Sequence, residues 1–256
     1  MIFLVTAAVA VAVALAAAGV HYVVQRCIGP RILVEQNNVA GFIYSAIAVT
    51  YAVVLGFVVV VVWEKYGEVQ NHVDAEAAAV FDLYHTAEAF PQPLRRRIRT
   101  DLRGYVADVV TREWPEMTDG TVALSAVSDV ENIAREIETF TPSNRGQQDA
   151  HQIAMQELLR AFDARRERVL ATRASVPPIL WFGLIAGASA TLCFTFFFGV
   201  QNRVMQLLMT GILAALITIM FVVIKEFDTP FRGPNAITPN VWLFYESRMK
   251  ILENEA

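Results

Sequence analysis

The chain alternates long apolar runs with one long segment of helical period. From Ala40 to Trp63, 24 consecutive positions carry no charged side chain, and the run stops at Glu64 and Lys65. At 1.5 Å per residue this makes about 36 Å of helix, slightly more than the hydrocarbon core of a bilayer. Its valines favour strands, but a lone strand cannot satisfy its own backbone in lipid, and a helix can. Three further runs have the same character: Ile2 to Val24, broken only by Thr6, His21 and Tyr22, then Pro178 to Val200 and Val204 to Ile224. The pattern predicts an all-α integral membrane protein with transmembrane helices over 1–26, 39–63, 177–200 and 204–226. "ALAAAG" offers small residues to a signal peptidase, yet no Lys or Arg precedes Arg26, so the first helix is expected to stay.

The segment 64–176 reads as helical and as continuous with the membrane helices on either side. Val69, Val73, Ala77, Val80, Tyr84 and Ala87 recur every three or four residues. Only Gly67 interrupts good helix formers after Trp63, so the second membrane helix is expected to run on as one rod of about 50 residues, about 75 Å long, ending at "FPQP". A helix from Leu94 to Trp114 follows, closed by "WPEMTDG", then one from Val122 to Phe140 and one from Gln147 to Arg173. The last carries Ile153, Met155, Leu158, Leu159, Phe162, Val169 and Leu170 and leads to "VPP", whose prolines suit a first helical turn. Nothing in the sequence delimits a separate folding domain. In the tail, 227–256, Pro230, Gly233, Pro234 and Pro239 forbid a helix before "NVWLFYESRMKILENE", which suits a short amphipathic one.

Composition agrees with this reading: 55% of residues are hydrophobic, 18% are charged and the mean hydropathy is +0.42. Lys and Arg are unevenly placed. The segment between the second and third membrane helices holds 14 of the 21, the stretch after Ile224 four more, and the opposite side only Arg26, Arg31 and Arg203. With most weight on "DARRERVLATR" beside the membrane, both termini and the insertion are expected in the cytoplasm. The insertion is itself mixed in charge and the net charge is −4, which argues against nucleic-acid binding. Cys27 and Cys193 lie at different depths and form no C-x-x-C pair, so neither a redox pair nor a zinc site is expected.

Catalysis is poorly served. There is no P-loop, G-x-G-x-x-G, H-E-x-x-H or G-x-S-x-G, and His21, His72, His85 and His151 are scattered. Glu68, His72 and Glu76 share a helix face, where a polar stripe is a simpler expectation than a cation site. No cofactor, metal or enzymatic activity is expected. No Asp, Glu, His or Lys stands at mid-depth in a membrane helix, as ion-coupled transport would need. Passive conduction needs only helices that leave an axial gap.

The second membrane helix offers such a wall. At 100° per residue Gly41, Ser45, Ala48, Ala52 and Gly56 form a slim face, joined by Asn38, Val59 and Trp63, with Ile43, Ile47, Val54, Phe57 and Val61 opposite. Two uses fit it: tight packing, for which "GLIAG" at 183–187 is a partner surface, and a pore wall. Glu64 and Lys65 would then stand at the cytoplasmic mouth with cancelling charges. "LRRRIR" at 94–99, with Arg103, reads as a solvated basic face. "DTPFRG" at 228–233 reads as a fixed turn in which Pro230 ends a helix, Phe231 follows, Gly233 allows reversal and Asp228 or Arg232 caps or pairs locally.

Four blocks also carry a resemblance: "NNVAGFIYSAIAVTYAVVLGFVVVVVWEKY" at 37–66, "RRERVLATRASVPPILW" at 165–181, "FFFGVQNRVMQLLMTGILAALI" at 196–217 and "DTPFRG". Together they resemble a bacterial membrane family described as bestrophin-like. The layout, two membrane helices, a helical insertion, two more helices and a tail, is similar to that of bestrophins, which are pentameric anion channels with pores lined by the second membrane helix. The resemblance implies a homo-oligomer, expected to be a pentamer, that conducts small inorganic ions and in particular anions across a lipid bilayer. It makes Phe42, Ser45, Val49, Ala52 and Gly56 pore residues, beside Asn38 and Val59. No acidic run here matches the bestrophin calcium clasp. The rival expectation is a membrane-anchored scaffold or sensor whose cytoplasmic helices bind another protein.

Overall fold

The computed structural model describes residues 2–27, 30–121, 127–173, 175–199 and 202–254, with backbone alone at 2, 27, 30–36, 38, 127–128 and 254. Among them the helices are α1 (Ile2–Cys27), α2 (Pro30–Thr86), α3 (Leu94–Asp108), α4 (Trp114–Asp119), α5 (Val127–Glu138), α6 (Arg145–Ala171), α7 (Pro178–Thr195), α8 (Arg203–Asp228) and α9 (Asn240–Asn254). A 3₁₀ turn occupies Ala87–Ala89 and a π-helical segment Val109–Glu113. No described residue lies in a strand. The expected rod is therefore present and longer than foreseen, since α2 starts at Pro30, a residue suited to a first turn, and runs 57 residues.

The chain divides into two compact units. The first comprises Met1–Glu64 and Ser175–Asp228, the second Lys65–Ala174 and Thr229–Ala256, with α2 contributing to both. The boundary was hidden because no linker marks it: a single helix passes from one unit to the other.

In the first unit, α1, α2, α7 and α8 are each long and apolar enough to cross a membrane. Only 6%, 17%, 17% and 22% of their apolar windows are buried inside the chain, so most of each surface must meet lipid or sister subunits. α1 packs chiefly on α8, and small side chains allow the approach: a Cβ on Gly211 would lie 3.7 Å from that of Ala14. A second cluster gathers Tyr51, Leu55 and Val62 of α2 with Leu184 and Ala188 of α7 and Ile217 and Ile224 of α8. α7 opens on Pro177 and Pro178, and the carboxylate of Asp228, at the end of α8, accepts the Val176 N–H at 2.5 Å. α8 is capped by Asn202, whose Oδ1 accepts from the Val204 and Met205 N–H groups.

The second unit is a helical bundle with its own core. Val69, Val73, Ala77, Val80, Tyr84 and Ala87 of the α2 rod and the turn after it are buried as the spacing predicts, against Ile98, Leu102, Tyr105, Ile133, Ile137 and Trp242. α6 differs from expectation, because Ile153, Leu159 and Leu170 are exposed. Its buried face keeps Leu158 and Val169, carries Arg168, and is otherwise Ala150, Ala154, Ala161, Ala164 and Ala171, small residues that let α6 approach its neighbours closely. The helix expected over 94–114 also differs. Pro115 in a regular helix would clash with the carbonyl of Thr111, and the wide π turn lets α4 begin there and continue to Asp119. The expected start of the next helix, 122–126, lies outside the described residues.

Gly120 ends α4 at φ +77°, with the Gly120 and Thr121 N–H groups donating to the Met117 and Glu116 carbonyls at 2.9 Å each. A side chain there would also collide with the Arg232 guanidinium, which donates to the Asp119 carbonyl at 2.7 Å. Gly104, in contrast, is exposed within α3 and faces open space. Thermal unfolding in detergent should therefore separate them: Gly120→Ala destabilises by about 1–2 kcal/mol, and Gly104→Ala stabilises by about 0.5–1 kcal/mol.

Candidate functional site

The membrane part of α2 uses one face within its own chain and leaves another free. The packed face runs through Asn37, Ala40, Tyr44, Tyr51, Leu55 and Val62. Asn37 binds Gly199 twice, donating to its carbonyl at 2.7 Å and accepting its N–H at 3.0 Å. Tyr44 packs on Phe194 and Phe198 at ring distances of 6.3 and 5.4 Å. Tyr51 lies on Gly187, where a Cβ would come within 2.5 Å of its ring. Trp63 meets Phe227 edge-on at 5.3 Å.

Phe42, Ser45, Val49, Ala52 and Gly56 lie roughly 120° around the helix from this face. All but Gly56 and Ala52 bear side chains beyond a methyl, and all five positions are exposed: Phe42 by 86% and Val49 by 63%. Nothing lies within 4 Å of a Cβ built on Gly56. The Ser45 hydroxyl donates to the Gly41 carbonyl at 2.8 Å, so it presents lone pairs outward. Gly41 and Val59 sit at the margin, the first with its Cβ position 4.0 Å from Phe198, the second partly buried against the α2–α7–α8 cluster. The side chain of Asn38 lies outside the described residues. Glu64 is exposed and Lys65 half-buried.

The expected pairing of the slim face with "GLIAG" is not what the chain does. Gly187 receives Tyr51, a bulky residue from the other face, and a Cβ on Gly183 would meet nothing within 4 Å. Beside this contact an apolar groove of about 430 Å³ runs along Ala46, Ile47, Thr50, Val54, Gly183 and Gly187. Sequence spacing found the slim stripe but could not tell which of two helix faces the neighbouring helix would occupy.

Spacing also missed a buried charge cluster in the second unit. Arg168 is fully buried and binds Glu76 with both Nε, at 2.5 Å, and Nη2, at 2.9 Å. Its Nη2 also donates to Glu113 at 2.8 Å, and its guanidinium lies 5.9 Å from the Trp114 ring centre. Arg165 donates to Glu113 and the Tyr105 hydroxyl to Glu76. Burial, then the Glu76 carboxylate, hold the Tyr105 phenol well above its usual range. Burial alone would lower the Arg168 value, but Glu76 outweighs it, helped by Tyr105 and Glu113, and holds it well above the arginine range. Two carboxylates and two guanidiniums leave the cluster neutral, which is what a buried site tolerates.

Glu76 is spent on Arg168, and among the described residues no group of three His, Cys, Asp or Glu side chains could hold a metal. Arg165 and Arg168 are not membrane-facing charges, which leaves sixteen basic residues against three. The turn motif pairs at long range: Asp228 reaches Val176 and Arg232 reaches Asp119, while Gly233 adopts φ +88°. The "LRRRIR" face is paired and solvated, Arg95 and Arg99 with Glu88, and Arg103 with Glu253. Cys193 is a free, exposed thiol, and the side chain of Cys27 lies outside the described residues.

Comparison with known proteins gives a family and a fold. The profile of the bestrophin-like domain matches residues 11–241. No curated protein matches the chain in sequence. Three crystal structures of a bacterial bestrophin homolog from Klebsiella pneumoniae, each with one point mutation, superpose with TM-scores of 0.71, 0.70 and 0.68 at 13% identity. They cover 99%, 96% and 98% of this chain and 100%, 98% and 98% of their own. At that identity the likeness fixes the fold.

Two substitutions test the packing just described by unfolding in detergent. Arg168→Ala leaves the buried Glu76 carboxylate without its opposite charge, Glu113 keeping Arg165, and should cost about 3–5 kcal/mol. Gly187→Leu should displace Tyr51 and cost about 1–3 kcal/mol, whereas Gly183→Leu, facing open space, should be tolerated.

Proposed function

The chain belongs to the bestrophin-like family, and on that premise we propose that it forms a homo-oligomeric ion channel in which α2 lines the pore. The observation that carries this reading is the division of α2 into a packed face and a free one. Tyr51, Leu55 and Val62 are consumed inside the chain, and Phe42, Ser45, Val49, Ala52 and Gly56 are left for whatever surrounds it. A face of small and apolar residues suits an axis shared by sister subunits, where ions pass a narrow dry neck governed by wetting and by charge at the mouths. Anion conduction and a pentamer are what the bestrophin resemblance implies, and we adopt both. We place the protein in the bacterial inner membrane with both termini cytoplasmic, which the remaining sixteen-to-three bias of Lys and Arg supports. Glu64 and Lys65 are assigned to the cytoplasmic mouth.

A second reading, a membrane-anchored scaffold, has one observation in its favour: α9 exposes Leu243, Phe244 and Ile251. It requires a stoichiometric protein partner that Phe244→Glu releases, together with no ion flux.

Liposomes containing the purified protein should pass chloride faster than empty vesicles. Ser45→Trp and Gly56→Trp should each lower that flux by about tenfold or more, while Thr50→Trp, in the groove beside α7, should leave it intact. If neither chloride nor potassium leaks above the empty-vesicle rate, the channel reading is wrong. If Thr50→Trp blocks and the other two do not, α2 presents a different face to the pore.

A further inference from the structure

The membrane unit has a second groove, on two helices that carry none of the residues assigned to the pore. It lies between α1 and α8, holds about 430 Å³ and is lined by apolar residues alone. Ala14, Ala18, Gly211 and Ala215, all half-buried, make its floor, and Leu15 and Leu208 stand exposed as its walls. Along α8 the lining runs from Val204 to Ala215, about 16 Å of helix. That is the depth of one leaflet, half of a hydrocarbon core of about 30 Å. A neighbouring helix crossing the bilayer needs a seat through both leaflets, whereas an acyl chain needs only one.

The two ends of the groove differ in charge. α1 and α8 run antiparallel, since Gln25 meets Gln206 and His21 meets Thr210, so the end of α1 lies beside the start of α8. On α1, Val11, Leu15, Ala18, Tyr22 and Arg26 follow at three-four spacing, which carries the groove's face on to the helix end. Arg26 is exposed and lies over the Tyr22 ring at 5.4 Å from its centre, and Arg203, also exposed, precedes Val204 on α8. Arg31 adds a third cation on this side. Against them stands Glu35, the only acidic residue from Ile2 to Trp63, and none occurs from Pro178 to Ile224. The side chains of Arg31 and Glu35 lie outside the described residues.

We propose that the groove between α1 and α8 binds a phospholipid, with one acyl chain lying along Gly211 and Ala215 and the phosphate drawn to Arg26 and Arg203. An apolar slot one leaflet deep, with an aromatic ring and two guanidinium groups at its mouth, repeats the order of chain, interface and charge in the lipid itself. The excess of arginine at that end favours anionic phospholipids over zwitterionic ones. On the orientation given above, the lipid belongs to the leaflet facing away from the cytoplasm. The inference requires that α1 and α8 span a bilayer, and it takes nothing from conduction.

Native mass spectrometry of the purified protein, titrated with phosphatidylglycerol or phosphatidylcholine, reads bound lipid and subunit number together. Phosphatidylglycerol should bind about tenfold more tightly than phosphatidylcholine. Arg26→Gln combined with Arg203→Gln, both exposed positions, should remove that preference. Ala215→Phe, which fills the groove, should lower the binding of both lipids by about tenfold and leave the subunit number unchanged; Ala18→Leu is the milder filling if that variant fails to fold. Equal affinity for the two lipids in the wild type, or a preference that survives the loss of both arginines, overturns the proposal. So does lipid binding that survives the filled groove, and so does a fall in subunit number on filling it, which makes the groove a seat for a sister helix.

Discussion

Lipid offers no partner to a peptide group, and every other feature of the membrane unit follows from that constraint. It converts valine-rich runs that would favour strands in water into helices, and it removes the hydrophobic effect as the force holding those helices together. What remains is close contact and a few polar bonds. Tyr51 lying on Gly187, Gly211 opposite Ala14, Asn37 bound twice to Gly199, and Asp228 on the Val176 N–H are the contacts that define the unit. They fix the rotation of α2 about its own axis, and so decide which residues it has left to offer.

The second unit solves a different problem. It is built from ordinary amphipathic helices, yet at its centre stands an arginine with no access to water. Arg168 is retained among Glu76, Glu113, Arg165 and Tyr105 because every charge there has an opposite beside it, and because α6 is lined with alanines that bring the partners within reach. Replacing such a cluster wholesale with apolar residues need not destabilise a protein, but breaking it piecemeal does. The π turn at Val109–Glu113 belongs to the same device, since it delivers Glu113 and Trp114 to the core and still accommodates Pro115.

Most of the architecture was legible in the sequence because runs of apolar residues and three-four spacing report length and burial directly. The four membrane helices, the extended α2 rod and the buried series from Val69 to Ala87 all follow from those two signals. The rest depended on partners distant in sequence. Nothing near Arg168 says that it is buried rather than membrane-facing, because Glu76 lies 92 residues away. The same holds for Asp228 and Arg232, whose partners lie 52 and 113 residues off, and for Ile153, Leu159 and Leu170, which periodicity alone cannot distinguish from core. The slim stripe of α2 was visible, but its freedom was not, since it depends on Tyr51 rather than Ser45 reaching α7.

The central claim is that the face of α2 bearing Phe42, Val49 and Gly56 surrounds a shared axis. A density map of the purified oligomer in nanodiscs tests it most directly. The account predicts rotational symmetry about a continuous axial opening, with those three residues lining it and Tyr51 turned away. A symmetric particle whose axis is filled by side chains, or one in which Phe42 and Val49 face lipid, would contradict it.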